Sequence, residues 1–120
     1  MIPIPAPLKS QSRIYDLKER LDWGEPALTI IDVRSRDAFN TSHITGAVFL
    51  PLHELVDQVL VNLESIRDIY IYGIDDQETA TAATMLRQAG YQSVAQLIGG
   101  LPAWKAAGFP VEGNNTAIAA

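Results

Sequence analysis

The spacing of hydrophobic positions changes several times along the chain. In "RIYDLKERLDWG", Ile14, Leu17 and Leu21 recur every three or four residues, which predicts a helix closed by Gly24 and Pro26. "LTIIDV", Leu28 to Val33, is a continuous apolar run of the kind found in strands buried on both faces. "RDAF" predicts a short helical turn, and "GAVFLP", Gly46 to Pro51, a brief strand. Helical spacing returns through Leu52, Leu55, Val56 and Val59 or Leu60. "IYIYG" predicts a strand, "QETATAATMLRQAG" a helix stopped by Gly90, and "VAQLI" a last strand. "LPAWKAAG" predicts a short helix with Pro102 in its first turn and Gly108 at its end.

Strands thus alternate with helices through short connections, an order that calls for an α/β domain with a mainly parallel sheet covered by helices on both faces. It occupies residues 13–112, behind an extended, proline-punctuated lead-in over residues 1–12. The tail, residues 113–120, has little to pack and is expected to fray. Tyr70, Tyr72, Ala82, Ala83 and Leu86 fit the packing of a strand and its following helix. Trp104 fits a packing anchor, and Trp23 a partly exposed position. In open parallel sheets the binding crevice lies beyond the carboxyl ends of the strands. Gly73, Ile74, Asp75, Asp76, Gln77, Glu78 and Thr79 sit there, and they form the candidate binding loop.

Composition narrows the chemistry. The chain has 120 residues, 48% of them hydrophobic and 19% charged, as expected of one folded domain. A formal charge of -5 argues against non-specific nucleic-acid binding, which needs clustered Lys and Arg. There is no cysteine, so disulfides, thiolate metal sites and cysteine nucleophiles are excluded. The first ten residues make a poor signal peptide. The uncharged run Gln88 to Trp104 holds Gln, Ser, Pro and three Gly and is unsuited to a membrane span. A monomer in the cytoplasm, with no membrane or nucleic-acid partner, is the default expectation.

Two longer stretches carry more information. "LTIIDVRSRDAFNTSHITGAVFLPLHEL" resembles the first signature of the rhodanese-like superfamily, with Asp-Val-Arg closing a strand, then His-Ile, Gly-Ala and a Pro. "YIYGIDDQETATAATMLRQAGYQSVAQLIGGLPAWKAAGFPV" resembles its second signature, with a strand, a short loop, a helix ending in Gly-Tyr, then Gly-Gly, Ala-Trp and Gly-x-Pro-Val. The resemblance spans roughly residues 10 to 111 and implies the rhodanese-like fold, with about five strands. Sulfurtransferases of that superfamily carry a catalytic Cys as the first loop residue. Position by position that Cys falls on Gly73, and the helix-starting Ser or Thr falls on Thr79. Asp76 stands where a small Gly often follows, and Glu78 at a frequently basic position. Persulfide transfer needs a sulfur atom as covalent carrier, and Gly73 has no side chain.

Charge points the same way. A carboxylate about 7 Å from a dianion such as thiosulfate repels it by about 1 kcal/mol in water before salt screening. Between Arg67 and Arg87 lie four acids and no base, so the sequence predicts a loop that repels anions. Asp75 with Glu78 three residues on also resembles a capping box, in which carboxylates would take the N–H groups an anion needs. By the same resemblance Asp32 and Arg34 are a structural pair near the crevice, and His43 is a hydrogen-bonded turn residue. His53 and Glu54 read as a solvated face. "DDQE" lacks the ligand spacing of a Ca²⁺ loop, and no metal or cofactor is expected. Asp75 and Thr79 have no evident base that would make either a nucleophile. The expected role is a non-catalytic binding or regulatory module whose acidic loop meets a basic protein segment. The alternative is a sulfurtransferase of residual or altered activity.

Overall fold

A computed structural model describes residues 8–24 and 27–114. Residues 1–7 of the predicted lead-in, Pro26 and residues 115–120 of the predicted tail lie outside the described residues.

The two five-residue strands, β2 (Leu28–Asp32) and β5 (Asp68–Tyr72), form the centre of the sheet. They pair in parallel from Leu28 with Asp68 to Asp32 with Tyr72. Successive side chains of a strand point to opposite faces, and here both faces are apolar. Ile30, Tyr70 and Tyr72 pack on one side with Ile14, Leu17, Leu97, Leu101 and Trp104. Ile31, Ile69 and Ile71 pack on the other with Leu55, Val59, Ala82, Leu86 and Tyr91. The first layer therefore carries α1 (Ile14–Asp22) and α5 (Gly100–Ala106), and the second α3 (Leu55–Asn62) and α4 (Asp76–Gln88). Helices on both faces explain why these strands read as unbroken hydrophobic runs.

Shorter strands complete the sheet. With β1 (Gln11–Ser12), β4 (Val48–Phe49) and β6 (Val94–Leu97), its order is β1-β6-β5-β2-β4, every pairing parallel. The predicted strand Gly46 to Pro51 is thus only two residues long, because Pro51 directs the chain into a 3-10 turn at Leu52–Glu54 ahead of α3. The short helix α2 (Arg36–Thr41) is capped by Ser35, whose hydroxyl accepts from the Ala38 N–H at 3.1 Å.

A small antiparallel ladder lies outside the main sheet. β3 (His43–Ile44) pairs with β7 (Val111–Glu112), and the Asn114 N–H then donates to the Asn40 carbonyl at 2.7 Å. Trp104, 1% exposed, donates from Nε1 to the Pro110 carbonyl at 2.8 Å and meets the edge of Phe109. Trp23 is 78% exposed. Among the described residues no helix is long and apolar enough to cross a membrane.

Candidate functional site

The parallel strands β2, β4 and β5 end together, and the loop between β5 and α4 covers their ends. Asp75 takes an extended backbone and caps α4, its Oδ1 accepting from the Glu78 N–H at 2.8 Å. The Thr79 hydroxyl is buried; it accepts from the Gly73 N–H and donates to the Asp75 carbonyl, both at 2.8 Å. Glu78 turns back so that its Oε1 accepts from the Ile74 N–H at 2.8 Å. An ordinary capping box would bring that carboxylate to the cap residue's own N–H; here it reaches one residue further. The third acid, Asp76, accepts from the Gly99 N–H at 3.0 Å and so ties the loop to the start of α5. Each of the three carboxylates therefore receives a backbone N–H. Gln77 is exposed, and its carbonyl accepts from the Thr81 hydroxyl. Ile74 projects outward, 61% exposed.

Gly73 is buried and does not have a positive φ, so conformation does not demand glycine there. Space does. A Cβ on residue 73 would lie 2.6 Å from Glu78 Oε1, 2.8 Å from its Cγ and 3.0 Å from its Cβ. The Glu78 side chain fills the volume that any side chain at position 73 would use.

Next to the loop, Asp32 is fully buried and Arg34 nearly so. The guanidinium donates from Nε to both Asp32 oxygens at 3.0 and 3.1 Å, and from Nη2 to Asp32 Oδ2 and the Ser42 carbonyl at 2.6 Å each. Burial works against the Arg34 charge, but the hydrogen bond and charge of Asp32 prevail and hold its pKa above the ordinary value. The guanidinium also lies over the Tyr72 ring at 5.5 Å. Burial pushes the Tyr72 phenol well up, the Asp32 charge adding to it, and its oxygen accepts from the Ile44 N–H at 3.1 Å. Together the Asp32–Arg34 pair and Tyr72 clamp the strand ends to the segment that begins β3. His43 is stacked on Phe39 at 3.7 Å, with Nδ1 2.7 Å from the Phe39 carbonyl. A carbonyl only accepts, so Nδ1 carries the proton. His43 lies in β3 and not in a turn.

The sequence did not foresee the cations beside the loop. A cleft of about 530 Å³ on one side is lined by Arg36, Phe49, Leu52, His53 and Glu78. A second, of about 320 Å³, lies between Ile74 and α5, lined by Gly73, Leu101, Pro102 and Lys105. Arg34 borders both. Arg36 lies over the Phe49 ring at 4.8 Å, and neither it nor Lys105 has an ion pair among the described residues. Asp68, one of the four acids assigned to the loop region, sits at the opposite end of β5, paired with Arg20 at 3.1 Å. The predicted anion-repelling mouth is therefore corrected to a mixed one, with acids on the loop and cations on the facing walls. The convergence of strand ends was a usable signal for Arg36 and His53. Nothing in the sequence marked Lys105. Among the described residues no three His, Asp or Glu are grouped to hold a metal ion.

The family model described as the rhodanese-like domain matches residues 14–107. The chain belongs to the rhodanese-like domain family. It carries no cysteine with which to perform the persulfide chemistry of that family's sulfurtransferases. The solution structure of the rhodanese-like domain of the Alr3790 protein from Anabaena sp. is 51% identical with a TM-score of 0.84, covering 88% of this chain and 80% of that one. The HTH-type transcriptional regulator Rv0324 of Mycobacterium tuberculosis is 35% identical over 99 residues, which is 81% of this chain and 42% of the regulator. A sulfurtransferase of Allochromatium vinosum is 32% identical over 95 residues, 79% of this chain and 87% of that protein. The chain spans less than half the length of the regulator, and likewise 46% of the putative sulfur carrier protein YrkF of Bacillus subtilis.

Proposed function

We propose that this rhodanese-like domain no longer transfers sulfur and serves as a binding or regulatory module through the loop Gly73 to Thr79. The observation that carries this reading is the Gly73–Glu78 contact: the nucleophile is absent and a carboxylate stands in its place. A persulfide relay has no atom on which to form. The partner we propose is a basic protein segment, drawn to Asp75, Asp76 and Glu78. Exposed ion pairs of this kind contribute about 0.2–1 kcal/mol each. Three of them fall short of the about 4 kcal/mol of even a millimolar complex, so on this reading the acids select a partner and contacts elsewhere hold it.

The test is a titration with basic peptides followed through backbone amide resonances. Shifts clustered at Ile74 to Thr79 support the reading, and their absence at peptide concentrations well above millimolar counts against it. The sulfurtransferase relative, matched over most of its length, favours a second reading, residual sulfur transfer. A thiosulfate-to-cyanide assay separates the two, with no turnover above buffer expected here.

A further inference from the structure

Resting on the binding reading above, we propose that the cleft between Ile74 and α5 is the anchoring pocket of this module. It would receive one bulky apolar side chain from the partner segment, with the basic residues of that segment lying on the Asp75 side of the anchor only. Charges at a rim steer and select, whereas affinity comes from an apolar anchor desolvated in a pocket. The pocket bordering the loop has this composition. Gly73, Leu101 and Pro102 line it together with Arg34, whose guanidinium is held by Asp32 and the Ser42 carbonyl, and Ile74 forms an outer wall while remaining 61% exposed. Its volume of about 320 Å³ suits a single side chain and is too small for a folded element.

The charges around the pocket confine the partner's cations to one side of its anchor. The wall bearing Ile74 runs on into Asp75 and Asp76, each with one oxygen engaged by a backbone N–H and the other oxygen left for a partner. The opposite wall bears Lys105, a cation without an ion pair among the described residues. A segment with cations on one side of its anchor and a neutral or acidic residue on the other matches both walls. Cations on both sides would place one of them against Lys105.

Four synthetic peptides of equal length test this against the whole chain. The first has three Lys, then Leu, then Gly-Glu. The second replaces its Leu by Ser, the third carries Lys on both sides of Leu, and the fourth replaces its Lys residues by Ser. Affinities are read from amide shifts and calorimetry. The Leu peptide is expected to bind at least ten-fold more tightly than the Ser peptide and to shift Ile74, Leu101 and Lys105. Ile74→Ser should reduce the Leu peptide to the affinity of the Ser peptide. Lys105→Glu, at an exposed position, should raise the affinity of the peptide with Lys on both sides. Equal binding of the first two peptides, with shifts confined to 75–78, overturns the anchor while the basic-segment reading stands. Equal binding of the first and fourth keeps the pocket but overturns the one-sided placement and the basic partner. No shift with any of the four overturns both proposals.

Discussion

Gly73 and Glu78 form a sterically matched pair, and a double-mutant cycle measures how strongly they are coupled. In Gly73→Cys the new Cβ meets Glu78 Oε1 at 2.6 Å and its Cγ at 2.8 Å, so the glutamate must leave. Leaving gives up the charge-assisted bond to the Ile74 N–H and a favourable charge on the first turn of α4. At this half-exposed position we place the loss at about 1–2 kcal/mol. Retaining Glu78 instead means overpacking, at about 1–3 kcal/mol. Glu78→Ala alone forfeits the same bond, again about 1–2 kcal/mol. In the double variant the bond is lost only once and the clash is gone, so its cost approaches that of Glu78→Ala alone. The expected coupling is about 1 kcal/mol or more, read from urea denaturation of the four proteins. Because the wild-type chain has no cysteine, a thiol reagent reports position 73 alone. The introduced thiol should react faster in the double variant than in Gly73→Cys, and neither variant should turn over thiosulfate at rates typical of active relatives. Additive stabilities within about 0.5 kcal/mol would refute the steric argument.

Asp32→Ala leaves the Arg34 guanidinium buried without its carboxylate and should cost about 3–5 kcal/mol in urea denaturation, as broken buried pairs do. Ser42 has a buried hydroxyl with no hydrogen-bond partner among the described residues, so Ser42→Ala should change stability by less than about 0.5 kcal/mol or raise it. Tyr72 and Tyr91 both have phenol pKa values raised by burial above the ordinary 10.0. Their contribution is fully present below pH 10 and is lost as pH rises beyond it, because the unfolded chain ionises first. Urea midpoints should therefore fall between pH 9.5 and 11 (about the titration range of a free phenol), and Tyr72→Phe should flatten that decline.

Parts of this architecture were legible in the residues and parts were not. The runs at Leu28–Val33 and Ile69–Gly73 identified the central strands because burial on both faces leaves an unbroken apolar signature. Asp75 with Glu78 marked the start of α4, since a cap is a local device that acts within one turn. Gln11–Ser12, His43–Ile44 and Val111–Glu112 could not be recognised as strands, because two residues carry no period and their pairing partners are remote in sequence. The charge estimate failed for a related reason. Counting acids between Arg67 and Arg87 included Asp68, which lies a strand's length from the loop. It omitted Arg36 and Lys105, which belong to α2 and α5.

By itself, then, the sequence determined the alternation of strands and helices and the absence of any sulfur nucleophile. Both are properties of local pattern and covalent composition, which folding cannot alter. Only the tertiary structure decided that Glu78 fills the space above Gly73, which groups are hydrogen-bonded inside the loop, and which cations face it. The Glu78 contact is local but turns on a side-chain conformation that residue spacing does not specify. The Gly99 N–H and the facing cations, by contrast, reach the loop because strand ends and helices converge from distant parts of the chain.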